Sequence, residues 1–415
     1  MENKKADVQG IIGYIIAENM PQIAVKKALE NHTFSKNIYL VAIGKAAFTM
    51  AKAASDFLGD RIKEGLVITK YDHAEGPIPG LEVIEAGHPT PDENTIMATQ
   101  KAITLAEKLG AEDELLFLVS GGGSALFEAP RDGISFSDLV GLNDQLLASG
   151  ADIIEVNLVR KRLSKVKAGR FAQIAAPAKV FSVVLSDVLG DRLDSIASGP
   201  TAPDLSTVSQ VEKMVAHYNI KLSDLQAQYL KDETPKETPN VTTVVTGSVK
   251  TLCQAAATAT EKLGFTPIIL TNNLNCEARE AGRFLASIAL DIQAGSGSIT
   301  KPAAIILGGE TVVSLKGNGL GGRNQELALS AAKEIAGLEN TLLFSLGSDG
   351  TDGPTDAAGG LVDGNTVSIL EEKGLDIDKF LENNDAYHAL QAADALIMTG
   401  PTGTNVNDVA VLLCW

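Results

Sequence analysis

Ile38-Tyr39-Leu40-Val41-Ala42-Ile43-Gly44-Lys45-Ala46-Ala47-Phe48-Thr49-Met50-Ala51 is the stretch on which the reading of the fold turns. Residues 38–43 are a continuous apolar run, as expected of a strand buried on both faces. Residues 46–58 then place Ala47, Met50, Ala51, Ala54, Phe57 and Leu58 on one helical face, and Gly59 follows as a stop. Between strand and helix lies a small-residue turn carrying Lys45. That order of parts aims backbone N–H groups and the positive end of a helix at an anion. An ammonium at a helix entrance is locally unfavourable until an anion binds. A solvated surface lysine is the plain alternative; Gly44 and the flanking alanines permit close backbone approach and favour a phosphate or carboxylate contact.

The same order recurs along the chain. Ser120-Gly121-Gly122-Gly123-Ser124 follows the apolar run 115–119, and Gly317-Asn318-Gly319-Leu320-Gly321-Gly322-Arg323 comes after 311–315. Ser348-Asp349-Gly350-Thr351-Asp352-Gly353-Pro354-Thr355-Asp356 follows 342–346. Further strands are expected at 65–69, 81–85, 114–119, 180–185, 241–246, 267–271, 303–307, 311–315, 341–346, 396–399 and 409–413, most as Val/Ile/Leu runs separated by helical patterns. A second helix is expected over 91–109, with Thr90 as N-cap, Pro91 in the first turn, Glu93 in a capping box and Gly110 as the stop. The fold class that follows is α/β, in two halves. The charged stretch 231–240 has no apolar residue and two prolines, and marks the boundary between expected domains 1–235 and 236–415.

Composition narrows the function. The chain of 415 residues carries 35 Lys and Arg against 52 Asp and Glu, a net charge of −17. Nucleic acid and acidic membrane both need a basic face and are disfavoured as main partners; a local basic pocket for a small anion is not. Cys253, Cys276 and Cys414 are too few and scattered for a disulfide framework or a zinc site, so a cytoplasmic location is expected. No stretch has the length of a membrane span. The apolar run 11–17 follows Lys4-Lys5, but no small-residue cleavage site comes after it; Ala24, Val25, Ala28 and Leu29 continue a helical pattern past Pro21.

The loops differ in chemistry. The serine–glycine loop 120–124 lacks the Walker A spacing, yet can cradle an anion by backbone N–H groups alone. Ser124 as a hydrolase nucleophile lacks both the Gly-x-Ser-x-Gly context and an assignable base; a tight turn is the structural alternative. Gly317, Gly319 and Gly322 satisfy the dinucleotide pattern G-x-G-x-x-G. The next acid at a strand end, Asp349, comes 32 positions after Gly317, later than the roughly 20 expected. Arg323 at the following helix entrance suits a phosphoryl oxygen or a carboxylate. Asp349, Asp352 and Asp356, with Asp187 and Asp191 on a second acidic loop, could hold Mg²⁺ through one or two direct bonds and water. Asx-turns are the structural alternative. His32, His73, His88, His217 and His388 make no metal-spaced pair; His88 alone stands in a motif, where lining a site and a structural role are both open.

In order along the chain, AIGKAAFTMAKA, HPTPDE, SGGGSALFEAP, VRKRLSKVKAGRFA, SDVLGDRLDSIASGPTAPD, LGGETVVSLKGNGLGGRNQE, SDGTDGPTDAAG and TGPTGTNVNDV run from about residue 42 to 409. As a set they resemble the glycerate 2-kinase family of the MOFRL type over nearly the whole chain. Two departures are conservative in size: Ala168 where KGGR is more usual, and Val312 where a threonine often follows GGET.

The resemblance implies two three-layer α/β domains, the N-terminal one Rossmann-like, with the active site in the interdomain cleft. It implies ATP-dependent phosphorylation of D-glycerate at the C2 hydroxyl, giving 2-phosphoglycerate and ADP. The implied catalytic cations are Lys45 and Arg323, and Asp187, with Asp349, is a candidate for Mg²⁺ ligation or for taking the hydroxyl proton. The implied phosphate and substrate contacts are Gly44, Gly121, Gly122, Gly123, Ser124, Gly319, Gly321, Gly322, Glu310 and Asn405. Asp187, Asp191, Asp349, Asp352 and Asp356 are the expected Mg²⁺ set. A homodimer is compatible with the sequence, which leaves the oligomeric state open. The rival from another class is an NAD(P)H-dependent hydroxypyruvate reductase, resting on the glycine pattern at 317–322; a non-catalytic metabolite-binding protein is a third, opposed by the intact cations and acidic loops.

Overall fold

The computed structural model describes residues 2–415, with side chains from residue 6 onward. The chain forms two compact units: residues 24–186 with 191–246, and residues up to 23 with 187–190 and 247–415. Each is built on one six-stranded sheet.

In the first unit the strands are β1 (Asn37–Ile43), β2 (Ile62–Lys70), β3 (Leu81–Ala86), β4 (Asp113–Val119), β5 (Lys179–Leu185) and β6 (Val241–Gly247). Their spatial order is β3-β2-β1-β4-β5-β6, the doubly wound order that the resemblance implies. β1 runs parallel to both β2 and β4, as β2 does to β3 and β4 to β5. The central strands β1, β4 and β5 are buried almost end to end, because helices cover both faces. Edge strand β3 is buried only at Ile84 and Ala86, and β6 only at Gly247.

The second unit contains β7 (Thr266–Leu274), β8 (Ala303–Gly309), β9 (Thr341–Gly347), β10 (Gly359–Asp363), β11 (Leu396–Ile397) and β12 (Asp408–Cys414), ordered β11-β10-β9-β12-β8-β7. β12 lies antiparallel between β8 and β9, and all three are buried throughout. The helices Ala278–Ala294 and Arg323–Glu334 contribute Leu285, Ala289, Leu327 and Ala331 to the core. The N-terminal helix Glu2–Glu18 packs on the helix Val249–Lys262, with Val8, Ile11, Ile12 and Ile15 buried. Asn19 ties this joint to the rest of the unit: its Oδ1 accepts from Thr251 Oγ1 and its backbone oxygen from Thr404 Oγ1, both at 2.8 Å.

Four expectations change. The segment 311–315 is no strand: it makes one isolated bridge, Glu277 to Val312, and leaves Val312 and Leu315 53% and 79% exposed. Both flanks of β8 are already taken by β7 and β12. β10 was not expected, because Gly359-Gly360 reads as a loop. Gly359 is there because a Cβ would lie 1.9 Å from Ser345 O on β9. The helix expected at 91–109 spans Glu93–Glu107 and is capped by Asp92, which accepts from Thr95 N at 2.9 Å while its own N–H reaches Thr95 Oγ1. Pro91 biases Thr90 away from helical geometry, so the cap moves inward. Finally, β6 follows the charged stretch 231–240 yet completes the first sheet, so the division falls at 246/247 rather than 235/236. The N-terminal helix belongs with the second unit.

Candidate active site

In the first unit the sheet grows in opposite directions from β1 and β4, whose C-terminal ends flank the topological switch point where ligands bind in such sheets. The turns leaving these two strands are knitted together. Lys45 N donates to Gly121 O at 2.9 Å, Ser120 N to Ile43 O at 3.0 Å, and Ala46 N to Ser120 Oγ at 3.0 Å. Gly44 has φ +111, and a Cβ there would lie 2.3 Å from Ser120 Oγ. Only glycine permits this approach. The Lys45 side chain is exposed beside Gly122, whose φ is +84. A Cβ on Gly122 would lie 3.0 Å from the His88 ring, so the sequence-flagged histidine also faces this loop. Burial, and after it the Lys45 ammonium, hold His88 below the ordinary histidine pKa. It is therefore neutral at pH 7 and able to accept a hydrogen bond.

Below this surface the loop is held by a fully buried lysine. Lys167 Nζ donates to Ser124 O at 2.7 Å and Phe127 O at 3.2 Å, and pairs with Glu128 at 3.1 Å. Ser124 Oγ lies 3.0 Å from Ser198 Oγ, which donates on to Asn157 Oδ1. Among the described residues Ser124 Oγ thus has a serine hydroxyl, not a base, as its hydrogen-bond partner. The departure Ala168 sits at φ +54, in the left-handed region that the more usual glycine occupies without strain, and donates to Ser198 O.

In the second unit the ends of β8 and β9 and the start of β12 meet at one rim, with Asp408 level with Gly309 and Gly347. Arg323 is the first residue of the helix Arg323–Glu334 and enters this rim. Its Nε and Nη2 donate to the two oxygens of Asp408 at 2.5 and 3.1 Å, and its Nη1 donates to Glu310 Oε1 at 2.8 Å. Burial works against the charged guanidinium, but Asp408 and Glu310 outweigh it and raise its pKa. Burial also raises the pKa of Asp408. Asn407 Nδ2 donates to Glu310 Oε2 at 3.3 Å and to the backbone oxygen of Asp187 at 3.1 Å. The structure links Arg323 and Glu310 directly, and Glu310 to the backbone of Asp187 through Asn407; Asn407 and Asp408 are residues that the sequence reading missed. The expected Asn405 is exposed and accepts from Asn407 N instead. An acid starting the apolar run 409–413 was the available signal for Asp408.

The aspartates expected to form one metal set are not gathered. Among the described residues no three His, Cys, Asp or Glu side chains are placed to hold an ion. Asp352 caps the Arg323 helix, accepting from Asn324 N at 3.2 Å and Gln325 N at 2.8 Å. A Cβ on Gly322 would strike it at 2.3 Å. Burial pushes the Asp352 carboxyl up to about 6. Asp349 Oδ1 accepts from Thr351 N in an Asx-turn, Asp356 accepts from Tyr387 OH, and Asp191 occupies a turn at φ +51. The dinucleotide pattern also dissolves. The N–H groups of Lys316 and Gly317 donate to Asn384 Oδ1, that of Asn318 to Asn383 Oδ1, that of Gly319 to Asn383 O and that of Leu320 to Asp385 Oδ1. Amides spent on residues 383–385 do not receive a pyrophosphate, so Gly319 is a structural glycine; Gly321 and Gly322 remain beside Arg323. Among the described residues no helix is long and apolar enough to cross a membrane.

The chain is similar to known proteins over its whole length. Residues 7–231 match a domain of unknown function, DUF4147, and residues 303–408 match the MOFRL family. The D-glycerate 2-kinase of Thermotoga maritima is 52% identical over 94% of each chain. A protein of Agrobacterium vitis, 39% identical over 96% of this chain and 92% of its own, bears a provisional hydroxypyruvate reductase name. The crystal structure of a glycerate kinase from Thermotoga maritima superposes with a TM-score of 0.97 at 51% identity, covering 100% of both chains.

Proposed function

This chain belongs to the MOFRL-type glycerate kinase family, and on that premise we propose that it is an ATP-dependent glycerate 2-kinase. The reaction is in-line transfer of the γ-phosphoryl group of ATP to the C2 hydroxyl of D-glycerate. The observation that carries this reading is the whole-chain likeness to D-glycerate 2-kinase; the exposed Lys45 at the switch point and the oriented Arg323 guanidinium supply cations for the phosphoryl oxygens. Phosphoryl transfer asks the protein mainly for positioning and charge stabilisation. Lys45 meets phosphate charge at a loop whose glycines admit close approach. Arg323, held from behind by Asp408 and Glu310, presents its remaining N–H edge to the transferring group or to the substrate carboxylate.

Mg²⁺ fits the donors as the counter-ion of ATP. With no three-residue protein set, phosphate oxygens and water complete its shell around one or two carboxylates, for which Asp187 and Asp349 are the candidates. When bound it neutralises charge developing on the phosphates. The reductase reading has against it the internal use of the amides at 316–320.

Regiochemistry is the finer claim. A carboxylate anchored beside C2 brings the C2 hydroxyl to phosphorus and leaves the terminal hydroxyl about one bond away, and a 1 Å misplacement can cost ~10²-fold. Purified protein is supplied with D-glycerate, ATP and Mg²⁺ and coupled through enolase and pyruvate kinase, without phosphoglycerate mutase. Immediate NADH loss through lactate dehydrogenase, above a control lacking enolase, means 2-phosphoglycerate. Signal above that control only after mutase is added means 3-phosphoglycerate and overturns the C2 assignment. NADH consumed with hydroxypyruvate, in the absence of the coupling enzymes, would restore the reductase.

A further inference from the structure

The first unit contains a cavity of about 300 Å³ that the phosphoryl-transfer chemistry leaves unused. It opens between the segment Pro89-Thr90-Pro91 and the helices Phe136–Ala148 and Ile153–Leu163. Its walls are largely apolar, with Phe136, Leu139 and Leu163 among them. Five polar or charged side chains interrupt that surface, Thr90, Glu128, Asn143, the exposed Asp144 and Arg160, and two of these offer N–H donors. One is the guanidinium of Arg160, for which no hydrogen bond or ion pair is found among the described residues. The other is the side chain of Asn143, whose Oδ1 is buried and has no hydrogen-bond partner.

Arg160 is half-buried, and the Asn143 oxygen is fully buried. A buried polar atom without a partner costs about 1–3 kcal/mol, and more where charge is involved. The nearby acid does not relieve Arg160: Glu128 is already taken by Lys167 at 3.1 Å and by Ala129 N at 3.0 Å, and reaches Arg160 only through its longer-range field. An arginine fork and an amide that can turn its NH₂ inward are together the donor set of a carboxylate site. The remaining wall asks for hydrocarbon. Glycerate does not meet that demand, since its hydroxyls would lie against leucines without partners. At about 300 Å³ the space is at the small end of ligand pockets.

We propose that this cavity binds a small monocarboxylate with an aliphatic or aromatic body, its carboxylate on Arg160 and Asn143, at a site separate from that of glycerate. One wall carries a consequence for the reaction. Pro89 directly follows His88, whose ring faces Gly122 beside Lys45. A ligand seated against the prolines therefore bears on the loop that holds the catalytic lysine, and the site is a regulatory one.

Hexanoate is the probe, with hexanamide as the uncharged control, titrated into the whole protein by calorimetry and by ligand-observed NMR. Hexanoate is expected to bind saturably, hexanamide at least tenfold more weakly, and saturating D-glycerate to leave hexanoate bound. Arg160→Met should weaken hexanoate at least tenfold, and Leu139→Trp, which fills the cavity and keeps the charge, should do the same. Hexanoate is also expected to shift KM or kcat in wild type and not in Leu139→Trp. No saturable binding, equal binding by Leu139→Trp, or displacement by glycerate would overturn the proposal. The binding arms use no turnover, so they stand or fall independently of the kinase assignment.

Discussion

Asp408→Asn tests the most specific claim about the second unit, that Arg323 works only because a buried carboxylate aims it. Asp408 receives Nε and Nη2 on its two oxygens and its side chain is 9% exposed, whereas the other anchor, Glu310, is 43% exposed. The amide keeps one acceptor and turns an N–H donor towards the second guanidinium N–H. One charge-assisted hydrogen bond is lost, worth about 1.5–3 kcal/mol. The substitution also removes a carboxylate whose ionisation burial disfavours, which offsets part of the loss. The expected net destabilisation is about 2 kcal/mol, or a Tm drop of roughly 4–8 °C for a unit of this size. Arg323 is then held by Glu310 and a single amide oxygen, and its edge swings; a displacement near 1 Å predicts a kcat/KM lower by roughly 10–10²-fold. Thermal melts and the enolase-coupled assay measure the two effects. A variant that melts within about 1 °C of wild type and turns over normally would refute the idea that Asp408 positions the guanidinium.

Lys45→Ala should lower kcat/KM by roughly 10²–10³-fold, while Tm stays within about 2 °C because the side chain is exposed; near-normal kinetics would remove Lys45 from the reaction. Gly44→Ala should cost about 3 kcal/mol, since a Cβ would lie 2.3 Å from Ser120 Oγ on a backbone at φ +111, and an unchanged urea midpoint would show that the two turns are not locked as described. Burial raises the Asp352 carboxyl from 3.8 to about 6, so the folded protein holds a proton that the unfolded chain releases. That stabilisation is complete below the unfolded value and is lost as pH rises through about 6. The Tm advantage of wild type over Asp352→Asn should therefore be largest near pH 4 and shrink by pH 7, and a pH-independent difference would count against it.

What was legible in the sequence was local. The run 38–58 announced its strand, its turn and its helix, because each of those signals lies within a few residues. Less local facts were not available. Whether 311–315 becomes a strand depends on a free neighbour on β8, and β12, coming about a hundred residues later, takes that place. β10 hides because Gly359 answers to Ser345, and Gly360 to Ala328 and Leu390, rather than to a turn. The aspartates around 349–356 looked like metal ligands for a reason inherent in the side chain: a short carboxylate among glycines serves equally well to bind a cation or to accept backbone N–H groups. Asp352 does the latter, and only its contact with Gln325 N tells the two uses apart. The amphipathic pattern of the first helix likewise says that one face is covered, but not by which half of the chain.

The place of β12 bears on how the protein is made. The strand at the centre of the second sheet is specified by residues 408–414, and it also brings in Asp408 to aim Arg323. On the ribosome the first unit has all its residues once position 246 has emerged and can fold while translation continues. The other sheet stays split, with β8 and β9 lacking the partner between them, until residues 408–414 have been made. The helix Glu2–Glu18 in turn keeps Val8, Ile11, Ile12 and Ile15 uncovered until its packing partner Val249–Lys262 has been made. The nascent chain thus carries an uncovered apolar helix face over the synthesis of residues 19–262 and two open strand edges over 348–407, surfaces of the kind that chaperones cover.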